Sequence, residues 1–284
     1  SKSAKANDTI HYGFEIKNEN QVAEIFHLKI NDPRTLACQY MLSDSIVTLK
    51  PQESYSGELK VVISDRMPKG GKESCFITIE NELGNRVETF EFISVRAKEH
   101  PFLLVTNDII NETKEKVKNY PWAKANLDAM LKELDVYKVP ERKIVTKPRP
   151  VKVWSSFNYR PNDSEEVFRL CLAWKLTGKE SYKEKAIRFI KEVCDKDEGY
   201  LSIGAATYGV QVNFFLHLAA ACDILFNEPE FSAEDRENIE ATFRYYLELN
   251  RKHMDPLGIM NHQASANAGA ILSALFLQDV AEVE

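Results

Sequence analysis

From Thr9 to about Arg96 apolar and polar residues alternate in short segments, and after Pro101 the repeat lengthens to that of helices. Thr9–Ile16, Gln21–Ile30, Tyr55–Ser64, Ser74–Glu80 and Arg86–Val95 are rich in Ile, Val, Phe, Thr and Tyr, whose branched or flat side chains suit a pleated surface. Asn31-Asp32-Pro33, Pro51-Gln52, Pro68-Lys69-Gly70-Gly71 and Asn81–Asn85 supply turn chemistry between them. Short strands spaced roughly ten residues apart predict an antiparallel, Ig-like β-sandwich of about 100 residues. We assign residues 1–99 to it.

The remaining residues, 100–284, read as helices over Asn107–Asn119, Pro121–Tyr137, Asp163–Leu176, Ser181–Cys194, Tyr208–Phe226, Ser232–Met254 and His262–Leu277. Pro121 sits where its missing N–H costs nothing. Asp163 with Glu166, Ser181 with Glu184 and Ser232 with Asp235 have the capping-box spacing. The helices starting at Asp163, Tyr208 and His262 are rich in Ala, Gly and Ser and apolar nearly all round; those at Ser181 and Ser232 are amphipathic and charged. Alternation repeated every roughly 50 residues is what stacked helical hairpins require. The fold class is therefore multidomain α+β: a sandwich followed by an incomplete (α/α) toroid of helical hairpins, with a straight helical solenoid as the alternative. In either case the loops leading into the buried helices gather at one end and line a groove.

Charge and composition narrow the function classes. The 284 residues carry 37 Lys and Arg against 43 Asp and Glu, a net charge of −6. An acidic average argues against a nucleic-acid partner. The longest apolar stretch, Phe214–Phe226, is broken by His217 and Asp223 and falls short of the ~18–20 residues of a membrane span. Ser1–Asp8 is polar and lacks a signal-peptide core. Cys38, Cys75, Cys171, Cys194 and Cys222 form no CxxC pair and read as small apolar core residues. The chain has no GxSxG, P-loop, GxGxxG, HExxH or spaced Cys/His motif.

Candidate chemistry concentrates in two places. Lys138–Lys152 holds Arg142, Lys143, Lys147 and Arg149 against the single acid Glu141, a local field suited to an anionic ligand or simply a solvated loop. Asn158, Tyr159 and Arg160 follow it, an aromatic-plus-Arg cluster fit for sugar stacking and carboxylate contact. The second place is Asn261-His262-Gln263, opening an otherwise close-packing helix. Asn261 is also a preferred N-cap, whereas capping has no need of His262. The positive helix end would keep that ring neutral and able to accept a proton. His217 reads as a satisfied core histidine, and His11, His27 and His100 point to no chemistry. Asp163, Glu165 and Glu166 are conceivable glycosidase carboxylates that also fit helix-start preferences.

Three stretches resemble the heparinase II/III-like polysaccharide lyases: His100–Val105 with Tyr120–Ala123, Leu172–Gly178 with Tyr182, and Asn261-His262. The resemblance covers about residues 100–284. It implies β-elimination at a uronic acid, with Asn261 neutralising the carboxylate and His262 acting as base or assisting it. Gln263, Tyr208 and Gln211 would be groove residues. The implied partner is an anionic polysaccharide or oligosaccharide, a glycosaminoglycan such as heparin or heparan sulfate or an alginate-like chain, and the implied location is secreted or periplasmic. No cofactor or metal is called for, though a divalent metal stays open for a part beyond Glu284. The family's catalytic tyrosine falls about one hairpin after the Asn, so the chain reads as an N-terminal fragment carrying half a site. A non-catalytic carbohydrate-binding module and an unsaturated-uronyl hydrolase are the competing readings.

Overall fold

Strands alternate and helices pair much as their residue patterns predict in the computed structural model, which describes residues 1–31, 38–140, 162–200, 208–254 and 261–279. The chain divides into two units, Ser1–Lys98 joined by Gln278 and Asp279, and Glu99–Leu277.

The first unit is a sandwich of eight strands among the described residues: β1 (Lys2–Ala4), β2 (Thr9–Lys17), β3 (Glu24–Asn31), β4 (Gln39–Leu42), β5 (Ile46–Leu49), β6 (Ser54–Val62), β7 (Lys72–Asn81) and β8 (Arg86–Arg96). One sheet has the order β1-β8-β7-β3-β5 and the other β2-β6-β4. In β7 the residues Cys75, Ile77 and Ile79 are at most 1% exposed and their neighbours face outward. Opposite them the register sets Tyr12 against Leu59 and Ile10 against Val61 on the inner face of the second sheet. Each such side chain stabilises the core by ~1.5–3 kcal/mol relative to exposure. The Tyr12 hydroxyl ties the two sheets by donating to the Ile93 carbonyl at 2.7 Å and meeting Ser94 Oγ at 3.1 Å. Burial pushes its phenol up to about 12.

Two corrections to the sequence reading follow. Strands β1, β4 and β5 were not in the predicted set, because three or four residues are too few for a period-two signal. The sandwich is also not wholly antiparallel, since β1 pairs parallel with β8.

The second unit contains α1 (Asn107–Asn119), α2 (Pro121–Val136), α3 (Asp163–Thr177), α4 (Glu180–Cys194), α5 (Tyr208–Leu225), α6 (Ala233–Met254) and α7 (Asn261–Leu277). Of the three capping boxes read from spacing, one forms: Asp235 N–H donates to Ser232 Oγ at 3.0 Å, and Ser232 N–H returns to Asp235 Oδ2 at 2.8 Å. The other two are corrected. Helix α4 starts one residue before Ser181 with Lys179 at its N-cap, and α3 is preceded by Asn162; neither has a side-chain cap bond. Helix α3 ends at Gly178, whose φ of 75° closes the last turn with an N–H to the Trp174 carbonyl at 2.7 Å.

Helices α3, α5 and α7 pack side by side in one row, with α4 against α3 and α6 against α7. Phe168 meets His217 while Cys171 Sγ approaches the Ala221 carbonyl, so α3 and α5 run in the same direction. Gly269 lies beside Leu216 and Phe276 beside Phe226, so α5 and α7 do too. A Cβ on Gly269 would stand 3.0 Å from the Tyr246 hydroxyl and 3.4 Å from Leu216 N. The close approach of these helices therefore leaves tight space for any side chain there.

Candidate functional site

Parallel packing of α3, α5 and α7 brings their three N-termini to one end of the row. Tyr208 and Gln211 lie in the opening turn of α5, and Asn261, His262 and Gln263 in that of α7, so the backbone sets these sequence candidates at the same end of neighbouring helices. Arg142, Lys143, Lys147, Arg149, Asn158, Tyr159 and Arg160 lie outside the described residues.

The opposite end of the row is closed. Asp223, 1% exposed, accepts from His100 Nδ1 at 2.6 Å and from the N–H groups of Phe102 and Leu103, each at 2.9 Å. Asn227 Nδ2 adds a bond to the His100 carbonyl at 3.0 Å. The His100 ring packs among Phe102, Phe226 and Phe276 at 4.6–5.0 Å between centroids. The segment leading into the helices is thus pinned over the C-terminal half of α5. Nearby, Lys183 bridges Glu180 at 2.8 Å and Glu230 at 2.7 Å, and Trp174 Nε1 donates to Glu180 at 3.1 Å. His100 had pointed to no chemistry in the sequence. The available signal was its prospective partner, an acid inside an otherwise apolar helix, because a buried carboxylate must find donors.

Toward the N-terminal end of α5, Asn213 is exposed and Leu216 and His217 are half-buried. His217 differs from the satisfied core histidine expected of it. Its ring stacks on Phe168 at 6.2 Å, and its buried Nδ1 has no hydrogen-bond partner among the described residues. Asp163, 9% exposed, accepts from the Tyr137 hydroxyl at 3.2 Å, and Glu166 pairs with Arg169 at 2.9 Å. Burial and the adjacent Asp163 raise the Tyr137 phenol above its ordinary range. Tyr245 and Tyr246 lie on α6. Tyr246 is fully buried, stacks on Phe215 at 3.8 Å and donates to the Ala266 carbonyl at 3.0 Å, which holds α7 against α6.

Nucleophilic thiol chemistry finds no support here. Cys171 and Cys222 are wholly buried, and burial raises both thiols well above neutrality. Among the described residues no group of three or more His, Cys, Asp or Glu side chains is placed to hold a metal ion, and no helix is long and apolar enough to cross a membrane.

No family model and no curated protein matches the chain. Solved structures do match, over the sandwich-sized share of it. The FixG-related protein of Vibrio parahaemolyticus aligns with 31% of this chain and 78% of its own, at 9% identity and a TM-score of 0.26. The MSP-domain protein SSP-19 of Caenorhabditis elegans aligns with 34% of this chain and 94% of its own, at 8% identity and 0.25. The PapD-like domain 7 of human CEP192 aligns with 34% of this chain and 82% of its own, at 10% identity and 0.27. The class defined by the fold is a β-sandwich followed by a helical region. The resemblance to heparinase II/III-like lyases is corrected: no family model matches the chain, and no heparinase-family protein is among the matches. The residues behind it have a simpler origin. An Ala-rich buried helix, a Gly stop and an Asn at a helix start recur wherever helical hairpins stack.

Proposed function

We propose that the helical unit acts on a uronate-containing anionic polysaccharide by β-elimination, using Asn261 and His262 at the start of α7. In this reading the Asn261 amide offsets the charge of the sugar carboxylate, and the neutral His262 imidazole takes the C5 proton. The electron pair forms the C4–C5 double bond as the C4–O4 bond breaks, and O4 departs with a proton from a general acid. The observation that carries the proposal is the shared direction of α3, α5 and α7, which collects the opening turns of α5 and α7 at one end while Asp223 anchors the other. Tyr208, Gln211 and Gln263 would then contact the sugar. The row α3, α5 and α7, with α4 and α6 packed against it, would form part of an α/α toroid, and the protein would be exported to meet its substrate.

Heparan sulfate, heparin and alginate are incubated with the protein while absorbance of the unsaturated product is followed at about 232 nm. Product formation that falls at least ~100-fold in both Asn261→Ala and His262→Ala supports the assignment. Undiminished activity in both variants refutes the residues. Binding of the polysaccharide without any unsaturated product refutes the lyase and leaves a carbohydrate-binding module.

A further inference from the structure

The sandwich carries a second candidate site, independent of the helical unit. At one end the two sheets splay around a cleft of about 550 Å³, walled by the last residues of β2 and floored by β3, β7 and β8. Its floor is apolar: Phe26 and Ile79 belong to the core, Phe90 is half-buried, and Val87 is 53% exposed. Its rim is acidic: Glu15, Glu19, Glu24 and Glu88 face the single cation Lys17. Among the described residues none of these four carboxylates takes part in an ion pair, whereas Glu58 and Glu80 elsewhere on the sandwich do. Burying positive charge here would therefore break no ion pair among the described residues.

The wall is equally open. Strand β2 is the edge of its three-stranded sheet and, among the described residues, pairs with β6 alone. Near its start the His11 carbonyl already accepts from Lys2 Nζ, but the Glu15–Lys17 end borders the cleft. Asn18, fully buried, donates to the carbonyls of Val22 and Leu49 at 2.9 Å each and fixes the turn after β2. A free strand edge offers a row of backbone donors and acceptors that matches an extended chain and nothing else so well.

We propose that this cleft binds an extended basic polypeptide segment that adds a strand along the free edge of β2, sets Lys or Arg side chains against the four glutamates and lays an apolar side chain on Val87 and Phe90. Alternation of side chains along a strand sends successive residues to opposite faces, so a partner alternating basic and apolar residues fits rim and floor together.

The test uses the full chain and a fluorescein-labelled ten-residue peptide of alternating Lys and Val, with a Glu/Val peptide, spermine and a chitosan oligomer as comparators. Saturable anisotropy with the Lys/Val peptide is expected, about tenfold weaker for Glu15→Gln/Glu88→Gln and for Val87→Lys. Both variants change exposed side chains, and far-UV circular dichroism checks their fold. Hydrogen exchange at the amides of residues 13–17 is expected to slow on binding. Absence of binding, equal binding of the Glu/Val peptide, unchanged affinity in the variants, or unaltered exchange in β2 would each overturn the proposal. Competition by spermine or chitosan as effective as that of the peptide would overturn the polypeptide assignment in favour of a general cation site.

Discussion

Asp223 makes the sharpest test of how the helical unit is held together. Its carboxylate is 1% exposed and serves three donors, His100 Nδ1 and the N–H groups of Phe102 and Leu103. Replacement by Ala leaves all three without an acceptor in a part-buried setting, at ~1–3 kcal/mol for each orphaned group. Water reaching the half-exposed backbone groups recovers part of that, so the net loss for Asp223→Ala is about 3–4 kcal/mol. Asn behaves differently. Its carbonyl oxygen can take the place of Oδ2 and keep both backbone bonds, and its NH₂ then faces a His100 ring that accepts through an unprotonated Nδ1. Asp223→Asn should therefore cost only about 1 kcal/mol. A unit of this size shifts by roughly 2–4 °C per kcal/mol, which gives a fall of ~6–16 °C for Ala and ~2–4 °C for Asn. Thermal unfolding followed at 222 nm reads the helices selectively, since the other unit is a sandwich. A midpoint for Asp223→Ala within about 2 °C of the parent, or an Asn variant as damaged as the Ala variant, would refute the pinning role.

Three further perturbations follow from particular contacts. Gly269→Ala pushes a methyl against the Tyr246 hydroxyl; we expect a loss of about 1–3 kcal/mol that shrinks in the Tyr246→Phe background, measured as a double-mutant cycle in urea. At the start of α6, Ser232→Ala should cost ~1 kcal/mol at neutral pH. Burial pushes Asp235 upward, but the bonds from Lys191 and Ser232 outweigh it and hold the carboxyl below its ordinary range. Its contribution is thus complete above the unfolded value of about 3.9 and lost as pH falls through the lower folded value, so the gap between parent and Asp235→Asn should close only in acid. In the sandwich the sign reverses. The Tyr12 phenol, raised by burial to about 12, stabilises fully below its unfolded value of about 10 and loses that contribution as pH rises toward the folded value. Denaturation of the parent should ease across that alkaline window more steeply than that of Tyr12→Phe.

How much of this was legible beforehand depends on the length over which a pattern repeats. Strands of eight residues or more, such as β2 and β7, announce themselves by alternation, and all seven helices begin and end within about two residues of their predicted bounds. The short strands β1, β4 and β5 did not, and two of three capping boxes proved to be spacing without the bond. A capping box needs its first residue just ahead of the helix, and α4 instead starts at Glu180 with Lys179 at the N-cap, which puts Ser181 inside the helix. The candidate site was legible as residue types near helix starts. The hairpin alternation also placed the starts of the buried helices at one end, and the contacts between α3, α5 and α7 agree; which residues of neighbouring helices meet was not legible, because it depends on packing.

The sequence alone determined the two-part organisation, the kinds of element and their order, since each follows from a local repeat of two or near 3.6 residues. Tertiary structure decided what those elements do to one another. It paired β1 parallel with β8, set the β2 edge beside an acidic cleft, buried Asp223 as the anchor for His100 and, among the described residues, left His217 Nδ1 without a partner. Each of these joins residues far apart in the chain or depends on which atoms reach one another, and periodicity carries no information about distance across a fold.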